Sequence, residues 1–243
     1  MPNRIRTNKL NPVETMFHKF VADFGGEILP EAPNVRTADY YFRESNVIAE
    51  LKTLTEDVTE KMNQKLSPIV LTWIRKNGLL PGSIKGRQFI MDMKNMPTEI
   101  FDEWMRLMKT PIDHLVAQAN RQIRDTKERF NLMPAMGLII IANEANQYHN
   151  DPDSYRLLIL SVLGKRATDG SRRFPNVDGA VYFSPLGGVQ SRAEKMYYWA
   201  NLIDKTGTPF AKFQRDLRQG WYEYIEKESG IKIRQHPQPE TTP

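Results

Sequence analysis

Two acidic residues and a lysine on neighbouring predicted strands are the group in this sequence best suited to chemistry. Asp39 lies on the first strand, and Glu50 and Lys52 lie late on the second. Because successive side chains of a strand point to opposite faces, Glu50 and Lys52 project from the same face. A two-residue turn at Glu44-Ser45 would place Asp39 directly opposite Glu50. Two carboxylates beside an ammonium group could share a hard divalent cation, which suits metal-assisted hydrolysis of a phosphodiester.

The predicted elements place this group inside an α/β fold. A helix that begins at Asn11-Pro12 precedes the two strands, which cover residues 34–42 and 46–53. A continuously apolar run over residues 135–143 predicts a later strand that is buried on both faces. The order helix, strand, strand, helices, strand, helix, strand predicts a three-layer α/β sandwich. Its central sheet is expected to be mixed, with an antiparallel hairpin followed by strands reached through helical crossovers.

The length of 243 residues predicts one α/β domain over residues 1–234, with a helical insertion over about residues 79–130. Inside this insertion, Thr110-Pro111 repeats the signal of a cap residue followed by proline, which predicts that one helix ends and another begins there. Residues 235–243 hold three prolines and two threonines, and they predict a disordered tail.

Composition narrows the chemistry and the compartment. The chain has no cysteine, which excludes thiolate chemistry and cysteine-ligated zinc, and its four histidines are scattered. We therefore expect any metal to be held by oxygen ligands. No apolar run approaches the ~20 residues needed to span a bilayer, and the charged N-terminus lacks a signal-peptide apolar stretch. We expect a cytoplasmic protein without a membrane partner, and the net charge of +5 is compatible with a polyanionic one.

Two groups of basic residues are candidates for holding a nucleic acid. One flanks a glycine-containing loop and the other lies on a predicted helix; they are Lys165, Arg166, Arg172 and Arg173, and then Lys212 and Arg215. The second group is mixed with the aromatic residues Phe210, Phe213 and Trp221, which could stack on bases while the basic side chains contact phosphates. The alternative is a solvated loop and an amphipathic helix whose aromatic residues pack inward.

The hairpin resembles the PD-(D/E)xK nuclease superfamily, which includes restriction endonucleases and archaeal Holliday-junction resolvases. The αβββαβ core of that superfamily carries an acid near the start of the second strand and Glu-x-Lys on the third, matched here by Asp39, Glu50 and Lys52. The resemblance covers about residues 10–75 and, loosely, the later apolar strand. Ala38 stands where the superfamily usually has proline.

The resemblance implies a restriction-endonuclease-like core and a DNA-cleaving hydrolase that depends on Mg²⁺, for which Mn²⁺ can substitute. Asp39, Glu50 and the backbone carbonyl of Leu51 would bind the metal, which would activate water and stabilise the transition state. Lys52 would orient or deprotonate that water, or neutralise the phosphate. Restriction, phage defence and repair are the settings that such a nuclease would serve.

Glu14 is the candidate for a further catalytic carboxylate, because the first core helix of the superfamily often supplies a glutamate. Its position three residues after Asn11 is also that of a capping-box glutamate, which bonds back to the helix cap. The sequence leaves both roles open.

Two other functions are compatible with the same pattern. A catalytically inactive protein on this fold would bind nucleic acid without cleaving it, and an interaction subunit would use the charged hairpin as a protected sheet edge. The sequence also leaves open whether cleavage is endonucleolytic or exonucleolytic. It does not decide whether the protein acts as a homodimer or with a partner subunit that recognises the target.

Overall fold

The computed structural model describes residues 12–30, 36–78, 82–85, 88–91, 96–147, 152–184, 194–201, 208–230 and 232–235. The helices are α1 (Pro12–Asp23), α2 (Thr59–Asn77), α3 (Thr98–Arg129), α4 (Pro152–Leu163) and α5 (Pro209–Ser229). The strands are β1 (Glu27–Ile28), β2 (Tyr40–Phe42), β3 (Val47–Leu54), β4 (Gly82–Lys85), β5 (Gln88–Met91), β6 (Met136–Asn143), β7 (Gly179–Ser184), β8 (Glu194–Asn201) and β9 (Lys232–Gln235).

The main sheet is mixed, and its strand order is β1-β2-β3-β6-β7-β8-β9. β1, β2 and β3 are antiparallel to one another, and β6 and β7 continue the sheet parallel to β3. β8 is antiparallel to β7, and β9 is parallel to β8. The predicted α/β class with a mixed sheet is therefore confirmed, because an antiparallel hairpin is followed by parallel strands that are joined through helices.

Helices pack on both faces of the sheet because its central strands are apolar on both sides. In β6, Ile139 and Ile141 belong to the cluster that includes the buried faces of α3 and α4. Leu138 and Ile140 alternate with them and belong to the cluster that includes the buried faces of α1 and α5. The prediction that this strand is buried on both faces is confirmed.

The β2–β3 hairpin has the predicted register. The backbone N–H of Asn46 donates to the carbonyl of Arg43 at 3.1 Å, which closes the turn. Tyr40 then lies opposite Ala49, so the position before Tyr40 faces the position after Ala49. The strand that contains Asp39 is shorter than predicted, since β2 begins only at Tyr40 and residues 36–39 precede it without strand structure. Residues 34 and 35 lie outside the described residues.

The predicted helix break at Thr110-Pro111 is wrong, because α3 runs through it without interruption. Proline removes one helical N–H, but the apolar stripe continues on both sides of it, with Met108 and Ile112 each 2 % exposed. Packing of that stripe against the sheet and α4 outweighs the lost hydrogen bond. The hydroxyl of Thr110 meanwhile donates to the carbonyl of Arg106 at 3.0 Å.

The predicted helical insertion is helical only in part. Its first section contains the antiparallel pair β4 and β5, and α3 supplies the rest. At the C-terminus, β9 extends to Gln235, one residue into the predicted tail, and residues 236–243 lie outside the described residues. Among the helices of the described ranges, none combines the length and apolar character that crossing a bilayer requires.

Candidate active site

The centre of the site is an ion pair on the middle of β3. The side chains of Glu50 and Lys52 project from the face of the sheet that α3 covers, and Glu50 is only 1 % exposed. Lys52 Nζ lies 2.6 Å from Glu50 Oε1 and also donates to Gln122 Oε1 at 2.8 Å. The predicted placement of both residues on one face is thus confirmed, and α3 provides the residue that fixes the lysine.

Asp39 is held beside this pair by the backbone of β3. Its Oδ2 accepts a hydrogen bond from the backbone N–H of Leu51 at 2.7 Å. Because β2 begins only at Tyr40, the carboxylate takes the place that a backbone acceptor would have on a longer strand. Leu51, whose carbonyl is a predicted metal ligand, has its side chain buried in the cluster that α1 and α5 line. Metal binding by the Leu51 carbonyl stays a prediction.

Glu14 reaches the same strand from α1. The hydroxyl of Thr53 donates to Glu14 Oε1 at 3.3 Å. The negative charge of Glu14 also contributes to raising the pKa of Asp39, so the two carboxylates feel one another. The capping alternative for Glu14 involves Asn11, which lies outside the described residues. The catalytic role of Glu14 stays a prediction.

The positive charge near the carboxylates of the site is too small to offset their burial and mutual repulsion. Burial, followed by repulsion from Asp39, raises the pKa of Glu50 to about 8, against the opposing effects of Lys52 and Gln122. Burial also raises the pKa of Asp39, although the Leu51 N–H and the Lys52 ammonium act in the opposite direction. Glu50 Oε2 is buried, and no described residue hydrogen-bonds to it. An unpaired buried carboxylate oxygen is costly, and a bound cation would relieve that cost.

The donor set fits a hard divalent cation. Within the described ranges, no group of three or more His, Cys, Asp or Glu side chains is arranged to hold a metal ion. Mg²⁺ does not require one, since it is usually bound by one or two carboxylates together with water and substrate phosphates. Asp39 and Glu50 supply two carboxylates, and Glu50 Oε2, which has no partner within the described ranges, is available as a metal ligand.

Three residues of the site were not found by sequence reasoning: Gln122, Tyr40 and His18. The buried hydroxyl of Tyr40 finds no hydrogen-bond partner in the described ranges, and burial, then the charge of Asp39, raises its pKa. The ring of His18 meets the Tyr40 ring edge-on at 5.4 Å, and its charge lowers the pKa of Asp39. Only Gln122 carries a sequence signal, as a polar residue beside the apolar stripe of α3, three positions after Ala119.

Three basic side chains of the loop at residues 165–173 form ion pairs with acidic residues of the same chain. Lys165 and Arg173 both contact Asp113 of α3, at 2.6 and 2.9 Å. Arg172 lies 3.3 Å from Asp178, which in turn accepts a hydrogen bond from the backbone N–H at the start of β6. Arg166 is exposed. These pairings give three of the four predicted DNA-binding residues a structural role, and their contact with nucleic acid stays a prediction.

The basic residues of α5 lie on the opposite side of the sheet from Glu50. Lys212 is paired with Asp216 of the next turn at 2.7 Å, and Arg215 is exposed. The aromatic residues among them are buried in the core, namely Phe210, Phe213 and Trp221, which are 8 %, 4 % and 2 % exposed. The alternative in which these aromatics pack inward is confirmed, and their stacking on bases is excluded in this conformation.

No protein-family model, curated protein or solved structure matches this chain. The site holds two carboxylates with raised pKa values and one lysine, with Glu50 and Lys52 on β3 and Asp39 directly before β2.

Proposed function

We propose that this protein is a metal-dependent nuclease that hydrolyses phosphodiester bonds of DNA. In this proposal Asp39 and Glu50 hold Mg²⁺ or Mn²⁺. Lys52 orients or deprotonates the attacking water, or neutralises the phosphate. The observation that carries the proposal is the pairing of the buried Glu50 with Lys52 while Glu50 Oε2 has no hydrogen-bond partner among the described residues, with the half-buried Asp39 held on the same strand by the Leu51 N–H.

The order and direction of the elements support the proposal. α1 is followed by the antiparallel strands β1, β2 and β3, and β6 then pairs parallel to β3 after a helical crossover. In the proposal these elements correspond to the αβββαβ core of the PD-(D/E)xK superfamily. Asp39, directly before β2, and Glu-x-Lys on β3 would then take the positions that the resemblance implies.

The charge balance favours a functional site over a structural ion pair. A buried pair that only stabilises the fold is expected to satisfy each of its charges, because an uncompensated buried charge is strongly destabilising. Here two carboxylates face one ammonium group, and both carboxylates have raised pKa values. Perturbed carboxylates with specific charge partners are typical of catalytic sites.

The proposed roles follow from the contacts of each side chain. A bound divalent ion would supply a Lewis acid and a water of lowered pKa. Asp39 is fixed by the Leu51 N–H, and Glu50 is fixed by its burial on β3, so both carboxylates are oriented before any cation arrives. Lys52 is held by Gln122 next to both of them, where its charge can stabilise the anionic phosphate.

Cleavage of supercoiled plasmid and linear DNA tests the proposal, with Mg²⁺, Mn²⁺ or EDTA present. We expect cutting only with metal, and we expect Glu50→Gln to reduce the rate by at least about 100-fold. Glu60→Gln, on the exposed surface of α2, is the matched control and should cut like the wild type. Nicking of the plasmid would indicate an endonuclease, whereas digestion of the linear DNA alone would indicate an exonuclease.

Two results would contradict the proposal. Equal rates for wild type and Glu50→Gln would remove this site from the reaction. Salt-sensitive DNA binding without any metal-dependent cutting would instead identify the inactive nucleic-acid-binding protein on the same fold.

A further inference from the structure

A cavity of about 510 Å³ opens between α2 and α3 at the C-terminal end of β3. This volume lies within the range of about 300–1,000 Å³ that is typical of small-molecule sites. We call it the α2–α3 cavity. Its walls are mainly apolar and include Leu54, Val58, Met62, Leu107, Leu115 and Tyr155.

The wall of the α2–α3 cavity includes the buried amide side chain of Asn146. Asn146 is 4 % exposed, and its buried Oδ1 has no hydrogen-bond partner among the described residues. Its backbone is fixed, because its N–H donates to Asn143 Oδ1 and its carbonyl accepts from Asn143 Nδ2, each at 2.9 Å. A buried amide oxygen without a donor is unfavourable, so a ligand with an N–H group would compensate it.

The same cavity is lined by two lysines, for which the described part of the chain supplies no carboxylate partner. Lys61 and Lys65 are exposed and lie one turn apart on α2. Within the described ranges neither forms an ion pair, whereas Arg106, across the cavity on α3, is paired with Glu103. Two adjacent ammonium groups beside an apolar cavity suit a ligand that joins an apolar ring to an anion.

The α2–α3 cavity lies close to the Glu50–Lys52 pair. Leu54 projects from the same face of β3 as Lys52, two residues further along, which is about 7 Å. On α3, Leu115 precedes Gln122 by two turns, or about 10 Å. Nucleotides stacked on one strand are spaced about 3.4 Å apart. A strand with a phosphate at Lys52 would therefore bring a base to this cavity two or three nucleotides away.

We infer that the α2–α3 cavity binds one nucleotide, with its base among the apolar residues and its phosphate at Lys61 and Lys65. The amide of Asn146 both accepts and donates hydrogen bonds, as the edges of bases do. The placement beside Lys52 rests on the proposed nuclease function, and it makes the nucleotide part of a single or unpaired strand. The bound nucleotide could equally be a free mononucleotide, which presents the same base and phosphate.

Binding measured without cleavage tests this inference. The probe is a fluorescent single-stranded DNA 12-mer with the Glu50→Gln protein in EDTA, and unlabelled dAMP, dCMP, dGMP and dTMP serve as competitors. Asn146→Leu removes the amide and Leu115→Trp fills the cavity. We expect each to weaken binding by about tenfold or more, since stacking alone contributes about that factor per base. The matched controls are Asn63→Leu and Leu157→Trp, which change exposed helix positions outside the cavity.

Thermal unfolding separates binding from folding. Because Asn146 Oδ1 has no partner, Asn146→Leu should leave the unfolding midpoint unchanged or raise it. A lower midpoint would assign Asn146 a structural role and count against the inference. Competition by a mononucleotide would support the cavity with a free nucleotide as ligand, and binding of the 12-mer alone would support it with a strand.

The inference fails if neither probe binds, or if both cavity variants bind like their controls. Failure of the nuclease proposal is distinguishable from this. Wild-type cleavage with unaltered binding by the cavity variants would overturn the cavity alone. If binding depends on the cavity but the wild type does not cleave DNA, the nuclease proposal is contradicted and the inference of a nucleotide site still holds.

Discussion

The stability of this protein should fall as the pH rises through the range where Glu50 ionises. The pKa of Glu50 in the folded protein is raised from 4.5 to about 8, chiefly by burial. Between these values the unfolded chain ionises Glu50 while the folded protein keeps it protonated, so folding is progressively disfavoured. The stabilising contribution is complete below pH 4.5 and is lost by about pH 8. Glu50→Gln keeps the shape of the side chain and removes this titration.

The size of the effect follows from the same pKa values. At about 1.4 kcal/mol for each tenfold change in proton affinity, the interval from 4.5 to about 8 corresponds to roughly 5 kcal/mol as an upper value. Urea unfolding of wild type and Glu50→Gln at pH 5, 6.5 and 8, followed by the fluorescence of the four tryptophans, measures it. The unfolding free energy of the wild type should fall between pH 5 and pH 8 by several kcal/mol more than that of the variant.

A metal provides an independent check of this reasoning. At pH 8, added Mg²⁺ should raise the unfolding free energy of the wild type, because a ligand that binds only the folded state stabilises it. It should have little effect on Glu50→Gln. Glu60→Gln serves as the control for losing a carboxylate on the surface, and its stability should track the wild type at every pH. A difference between wild type and Glu50→Gln that does not change with pH would refute the reasoning.

Two further changes probe Lys52 and its support by Gln122, and a third probes the close packing near the start of β6. Lys52→Met should leave the unfolding midpoint within a few degrees and abolish cleavage in the plasmid assay; cleavage at the wild-type rate would remove Lys52 from the mechanism. Gln122→Leu should lower kcat by about tenfold through a misplaced lysine, whereas Gln118→Leu, exposed one turn away, should not; equal kcat values would show that Lys52 needs no such support. Gly137→Ala should lower the unfolding free energy in urea by more than about 2 kcal/mol, because a Cβ there would overlap the carbonyl oxygen of Asn176. A variant as stable as the wild type would mean that this loop moves aside.

Local patterns in the sequence were sufficient to predict the hairpin and its register. The turn at Glu44-Ser45 and the alternation along β3 are short-range features, and they place Asp39 and Glu50 at adjoining positions. The length of β2 could not be predicted in the same way, because Asp39 leaves the strand to bond the Leu51 N–H with its side chain. That choice depends on the tertiary position of the carboxylate.

Long-range packing decided what the sequence pattern could not. Pro111 predicts a helix end by its local chemistry, yet α3 continues because Met108 and Ile112 on both sides of it are buried. In the site, Gln122 is 70 positions from Lys52 along the chain. No local spacing relates two such residues, so only the packing of α3 across β3 identifies Gln122 as the partner of the lysine.

Binding of Mn²⁺, followed by electron paramagnetic resonance, tests most directly whether this carboxylate pair holds a catalytic cation. Wild type, Glu50→Gln and Asp39→Asn would be titrated at pH 8, with Glu103→Gln, which changes an ion pair within α3, as the control. We predict that wild type and Glu103→Gln bind Mn²⁺ equally and that both site variants lose that binding. Equal binding by all four proteins, or none by the wild type with DNA present, would contradict the account.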